Sequence, residues 1–426
     1  MDVSSDQGER MPVAVRFFVF TMLSVAVAAV IAPKAFPLLT GHFYERDLLA
    51  FVHLNTLGII AAAIVGASYQ ILPRAIGVQI PSVRASRATF WLHASGLLIF
   101  LIGFFLPWHA VLATGGTLIA AGLTLYAINV AKALRRSEAR DVASWHIGVS
   151  LIGLVGGFSL GFLLAGSKGT WFLGVKTMQV LSAHALLILA GWMVVMLNGV
   201  AYHMGQNLSQ NGRQPWRRLA AVELALVAGG AWFGSTALLF TLGRTWVSLG
   251  AVAIAVGEAL FLLQIVRLHI TPGRWRFIHH LPFTLLSSGM GLSASLLLAG
   301  GLLIDEPLVS PYWMAAGWLA IGGMGLTAIQ GLFPSIVAHL SDASEAPNSG
   351  LGTVVSMSGL LAWAVAIGLS TWAIFDGNRD LAATAGFFGS FGLACFLGVV
   401  GYTALRSTTA PNTFFQSVAA RLAGQR

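Results

Sequence analysis

The stretch His53–Arg74 reads "HLNTLGIIAAAIVGASYQILPR". A histidine and an asparagine open it, a long apolar run follows, and a polar cluster (Ser68, Tyr69, Gln70) with Pro73 closes it. A crossing of the bilayer core needs about 20 mostly apolar residues, and this segment meets that length. Eleven further segments do so, giving twelve candidate spans at about 13–33, 48–72, 88–106, 110–133, 144–166, 175–200, 217–241, 246–267, 279–303, 312–338, 350–375 and 381–405. The whole chain agrees with that reading. It has 426 residues, of which 57% are hydrophobic and 9% charged, where a soluble domain carries roughly 25% charged residues. The expected fold is an all-α polytopic membrane protein, a single domain over residues 1–426 with short connections. No signal-peptide pattern precedes the first span, which is read as a true helix.

The net charge of +9 is explained by topology without invoking nucleic acid. Lys and Arg concentrate on the side that stays in the cytoplasm. The N-terminus, the even-numbered connections and the C-terminus hold 18 of them, and the odd-numbered connections 6. Both termini are therefore placed inside, in the inner membrane of a bacterium. One cysteine, Cys395, excludes an internal disulfide, a multi-cysteine metal site and covalent CxxCH haem attachment. Glycines crowd the spans, as in "GLVGGFSLGFLLAG" and "GFFGSFGLACFLGVVGY". In lipid, small residues let helix backbones approach, so Gly386, Gly389 and Gly392 are read as a packing face.

Span 6, "AHALLILAGWMVVMLNGVAYHMG", echoes span 2. Each carries a histidine in its first turns (His53, His184) and ends in G-x-[SA]-Y plus a polar residue. The His-to-Gly separations are 13 and 15 residues. By a rise of 1.5 Å per residue, His53 lies roughly 8 Å and His184 about 12 Å below the outer ends of their spans. An ionisable group inside a span is by default a functional hypothesis, although a neutral imidazole also serves as an ordinary interhelical hydrogen-bonding group. Haem iron takes imidazole as axial ligand, and an apolar macrocycle suits a lipid-buried bundle. Asn55, Thr56 and Gly58 beside His53, with Ser182 and Ala183 beside His184, are small enough to leave room for a flat ring. His93, His146, His203, His269, His279, His280 and His339 are assigned to cytoplasmic ends. There His93, His203 and His339 offer a second metal or haem site, and His279-His280 reads as a solvated basic helix end. Glu258, near mid-membrane in "AVAIAVGEALFLLQIVR", is a proton-path residue or a protonated acid bonded to a neighbouring helix. Glu223 is expected to pair with Arg217 or Arg218.

With twelve spans, both ends inside, and histidines near the outer ends of spans 2 and 6, the chain resembles the catalytic subunits of haem–copper oxidases and nitric oxide reductases. It is most similar to divergent single-chain relatives of that fold, a group that includes haem-containing proteins of nitric oxide resistance (the NnrS family). The resemblance implies an oxidase subunit I-like bundle, a low-spin haem ligand at His53 and a copper ligand at His184. Haem b is the implied cofactor, with copper second. A cytochrome c-type electron donor or respiratory subunits are the implied partners, alongside the lipid bilayer. The pattern stops there. Span 7 has no histidine pair, and span 10 has no H-x-H, so a three-histidine copper centre and proton-pumping oxygen reduction are not expected. The implied role is electron transfer or the handling of nitric oxide or oxygen. Two other readings stay open on the residues alone: a cofactor-free transporter using Glu258, His53 and His184, and an accessory or assembly subunit of a respiratory complex.

Overall fold

The computed structural model describes residues 11–138, 141–208, 213–269, 279–304, 311–340 and 350–405. They contain twelve helices long and apolar enough to cross a membrane, in the twelve expected places. These are span 1 (Val13–Thr40), span 2 (Arg46–Pro73), span 3 (Val83–Gly103), span 4 (His109–Arg136), span 5 (Val142–Lys168) and span 6 (Gly174–Gly205). Span 7 (Arg217–Leu239), span 8 (Arg244–His269), span 9 (His280–Ile304), span 10 (Pro311–Ala338), span 11 (Gly350–Asp376) and span 12 (Arg379–Leu405) complete the set. Among the described residues there is no strand. The protein is an all-α, multi-pass membrane protein.

Three spans form the interior. Spans 2, 6 and 10 are 78%, 67% and 89% buried over their apolar windows, against 33–56% for the rest. The other nine surround them. Spans 3 and 4, 7 and 8, and 11 and 12 pack as hairpins, and contacts between spans 4 and 5, 8 and 9, and 12 and 1 extend them into three arcs of the surrounding layer. Large apolar side chains such as Leu23, Val30, Leu98 and Leu361 remain exposed on its outside. That is costly in water and favourable against lipid.

Each inner span contains an eight-residue stretch of π-helix: Leu54–Ala61, Leu187–Val194 and Leu319–Leu326. Aligned on their first residues, the stretches superimpose a set of glycines. The fifth residue is Gly58, Gly191 or Gly323, and the thirteenth counted onward is Gly66, Gly199 or Gly331. Each glycine meets the first helix of its own four-span unit. A Cβ on Gly66, Gly199 or Gly331 would fall 2.7, 2.6 or 2.4 Å from the Cβ of Phe17, His146 or Phe283. Gly58, Gly191 and Gly323 face Ser24, Gly153 and Met290, seven residues further along those same helices. Spans 1–4, 5–8 and 9–12 are therefore three copies of one unit. The sequence pattern showed two of them.

The repeat also explains His93. Its Nε2 bonds the carbonyl of Leu57, the fourth residue of the first π stretch, at 3.0 Å. At the same place in the third unit, Trp363 Nε1 donates to the carbonyl of Gly322 at 3.0 Å. His93 is fully buried halfway along span 3 and not at its cytoplasmic end. The glycine face of span 12 packs as expected, with Gly386 against Ala32 and Pro33, Gly389 against Phe36, and Gly392 against Gly359 and Trp363.

Candidate functional site

His53 is the last α-helical residue before the first π stretch, and His184 stands three residues before the second. Single π turns are frequent at functional sites because they re-aim neighbouring side chains. The two rings border one cavity of about 160 Å³ between spans 2, 3, 4, 5, 6 and 10. His53 Nδ1 lies 2.7 Å from the Leu49 carbonyl, and His184 Nδ1 lies 2.7 Å from the Gly157 carbonyl. A carbonyl can only accept, so Nδ1 carries the proton in both rings and Nε2 keeps its lone pair. Neither Nε2 makes a hydrogen bond. A carbonyl-held Nδ1–H is the usual way a ligating histidine is oriented and its tautomer fixed.

The seat of each ring is specific. Phe100 and Phe104 flank His53 with ring centres at 5.1 and 5.7 Å. His184 lies over Gly161, where an added Cβ would come 2.7 Å from its Cε1. The glycines of "GLVGGFSLGFLLAG", read from the sequence as packing residues, thus include the carbonyl and the bare surface that receive His184. Trp192 borders the same cavity, and its buried Nε1 has no partner. Gly161→Val is expected to displace His184 and weaken any ligand it holds. Gly166→Val, whose nearest neighbour is an ordinary 3.6 Å contact with Phe172, is expected to have little effect. Titration of a metal-bound or haem-bound form against each variant measures the difference.

Other expected positions fall elsewhere. Asn55 is buried and bonds the Phe51 carbonyl of its own helix at 2.8 Å. Gly58 fits against Ser24 and Leu97. Neither borders the cavity, whereas Thr56 does. Of the cytoplasmic trio, His93 is bonded to Leu57, His203 is half-buried on the last turns of span 6, and the side chain of His339 lies outside the described residues. No group of three or more His, Cys, Asp or Glu suited to a metal ion exists among the described residues. His279 and His280 are buried, contrary to a solvated helix end, and His279 Nε2 meets Ser356 Oγ at 2.7 Å.

Glu223 also departs from expectation. It points away from the arginines into a buried polar cluster joining spans 5, 6, 7 and 8. Its Oε2 is 2.8 Å from His146 Nε2 and accepts from Tyr202 Oη at 3.3 Å. Its Oε1 accepts from Asn198 Nδ2 at 3.0 Å, and the same amide donates to Glu258 Oε1 at 2.9 Å. Gln264 continues the chain toward the start of span 7, donating to Tyr202 Oη and accepting from Trp216 N–H. Arg217 lies over the Trp145 ring at 4.9 Å. Sequence reasoning singled out Glu258 but missed the cluster around it.

No family model and no curated protein matches the chain. The two buried sites are therefore read from their own chemistry. The first offers two oriented imidazole nitrogens in an apolar slot. The second offers two carboxylates, an imidazole and a phenol joined by hydrogen bonds.

Proposed function

We propose that the protein is a haem b-binding protein of the bacterial cytoplasmic membrane, acting in electron transfer or in the handling of nitric oxide or oxygen. One observation carries this reading: His53 and His184 border a single apolar cavity, each with Nδ1–H held by a carbonyl and Nε2 left without a partner. Both residues are only partly buried, and each Nε2 lone pair stays free to take a ligand such as the iron of an apolar macrocycle. The donor set fits haem iron better than copper, because three imidazoles do not converge here. The cavity, at about 160 Å³, is smaller than the roughly 300–1,000 Å³ of small-molecule sites. Phe100, Phe158 and Phe162, which border it, are the side chains that must swing to admit a macrocycle.

The residues divide the work. His53 and His184 supply ligands from facing helices, Gly161 and the Gly157 carbonyl fix the second ring, and the apolar walls exclude water. A bound haem supplies a one-electron couple and a site for a diatomic gas. Respiratory subunits or a soluble cytochrome are the partners such a centre requires.

The full-length protein, expressed with a haem precursor and purified in detergent, is expected to show a Soret band that shifts on dithionite reduction. Pyridine haemochromogen analysis is expected to give about one haem b per chain. His53→Ala and His184→Ala should each alter the spectrum while leaving the protein monodisperse. A colourless wild type that refuses added hemin, with no metal by elemental analysis, would falsify the reading.

A further inference from the structure

A cavity of about 220 Å³ adjoins the one that the histidines border. It lies between spans 2, 6, 8, 9 and 10. Its outer end is bordered by Leu39 and Phe43, next to the first outer connection, and by Trp313 and Met314 at the start of span 10. Its inner end is bordered by Glu258, Gly291 and Met324. Glu258 lies roughly 20 Å along span 8 from the outer start of that helix. Among the described residues it is the only titratable side chain on the cavity wall.

Glu258 is fully buried. Its Oε1 accepts from Asn198, but its Oε2 has no partner at all. Glu258 stands at the inner end of the cavity beside Gly291 of span 9, where an added Cβ would come 2.6 Å from Met324 Sδ and 3.1 Å from Oε2.

The charge balance around Glu258 is unusual. Glu223 has its own compensation. His146 Nδ1 faces the Val142 carbonyl and must carry a proton, so the 2.8 Å contact between His146 Nε2 and Glu223 Oε2 contains one proton whichever atom owns it. That pair is neutral overall. Glu258 has no such partner. Span 7 presents Glu223 through Asn198, span 6 presents Asn198 and Tyr202, and spans 9 and 10 present no titratable side chain to the cavity. An isolated buried carboxylate neutralises itself by taking a proton. A cation can do the same thing.

We infer that this cavity binds a lipophilic monovalent cation in exchange for the proton on Glu258. The apolar walls solvate the ligand's hydrocarbon body, and Phe43, Trp313 and Trp318 line the cavity between its outer end and Glu258. The exchange balances: R₄N⁺ enters, the Glu258 O–H bond breaks, and one H⁺ leaves, so the occupied and empty sites carry the same net charge. The inference stands on Glu258 and not on the histidines, although the two cavities adjoin and share lining residues such as Leu49, Leu181 and Ile321.

The test uses the full-length protein in detergent and benzyltrimethylammonium, whose charge does not change with pH. Calorimetric binding is expected to tighten about tenfold per pH unit while Glu258 is protonated, with one proton released per cation in weakly buffered solution. The uncharged analogue neopentylbenzene is expected to bind without pH dependence. Glu258→Gln is expected to abolish proton release and weaken the cation at least tenfold. A second measurement guards against a misfolded variant. A hydrophobic carbodiimide is expected to modify Glu258 of the wild type, read by mass spectrometry, and the cation should protect it. Cation binding that ignores pH, releases no proton, survives Glu258→Gln or fails to protect Glu258 overturns the inference.

Discussion

Glu223→Ala is expected to cost about 3–5 kcal/mol of stability, the usual loss when one member of a buried pair is removed. The substitution leaves His146 Nε2, one Asn198 N–H and the Tyr202 hydroxyl without their acceptor in a region where all three are buried. Lipid cannot supply substitutes, because the cluster lies between spans 5, 6, 7 and 8 and no polar solvent reaches it. Glu223→Gln should recover most of the loss. A glutamine carbonyl accepts from Asn198, and its amide donates to the His146 Nε2 lone pair, so the cost falls to about 1 kcal/mol. His146→Ala in the Glu223→Ala background should add little, since the coupled partner is already gone. The measurement is the unfolding midpoint of purified protein in detergent for wild type and the three variants. Equal losses for Ala and Gln at position 223 would sink the account, because it attributes the effect to unmet donors.

The second large effect is expected from one methyl group. Gly153→Ala places a Cβ 2.2 Å from the carbonyl oxygen of Gly191, and both partners are backbone. A flexible side chain can step aside, whereas here span 5 or span 6 must move as a body. Overpacking costs about 1–3 kcal/mol where side chains yield, and this contact belongs at or above the top of that range. Because His184 is seated on span 5, separation of these two helices should also disturb the histidine cavity. Gly115→Ala, with Phe100 N at 2.4 Å, is the parallel case between spans 3 and 4. Gly300→Ala has nothing within 4 Å and serves as the control, expected within about 0.5 kcal/mol of wild type. Folded yield after membrane extraction and thermal unfolding separate the three.

The parts of the fold that depend on composition were legible in the sequence. Span positions follow from hydropathy, and the Gly386, Gly389 and Gly392 face follows from spacing along a helix. The like depth of His53 and His184 on look-alike helices was legible as well, whereas their shared cavity was not. The third unit was not. Span 10 has neither the early histidine nor the terminal tyrosine that marked the other two, and its register is carried by Gly323 and Gly331, which are inconspicuous among 49 glycines. Asn55 and Gly58 were assigned to the ring because they follow His53, yet they lie on other sides of the helix. Glu223 was paired with the nearest cations along the chain. At 100° per residue, it stands about 140° from Arg218 and about 240° from Arg217, which turns it inward. Proximity in sequence is a poor guide to partners when a helix has one face on lipid and another on the interior.

The threefold repetition has a consequence for movement. Spans 2, 6 and 10 begin on the same face of the bilayer, so the axis relating the units runs along the membrane normal. A carrier made of two upside-down halves can trade its outward mouth for an inward one when the halves swap shapes. Copies that all point the same way have no mirror state to trade into. Any large shift of this bundle therefore has to come from one copy rocking against the others, with its hinge where the three copies differ from one another.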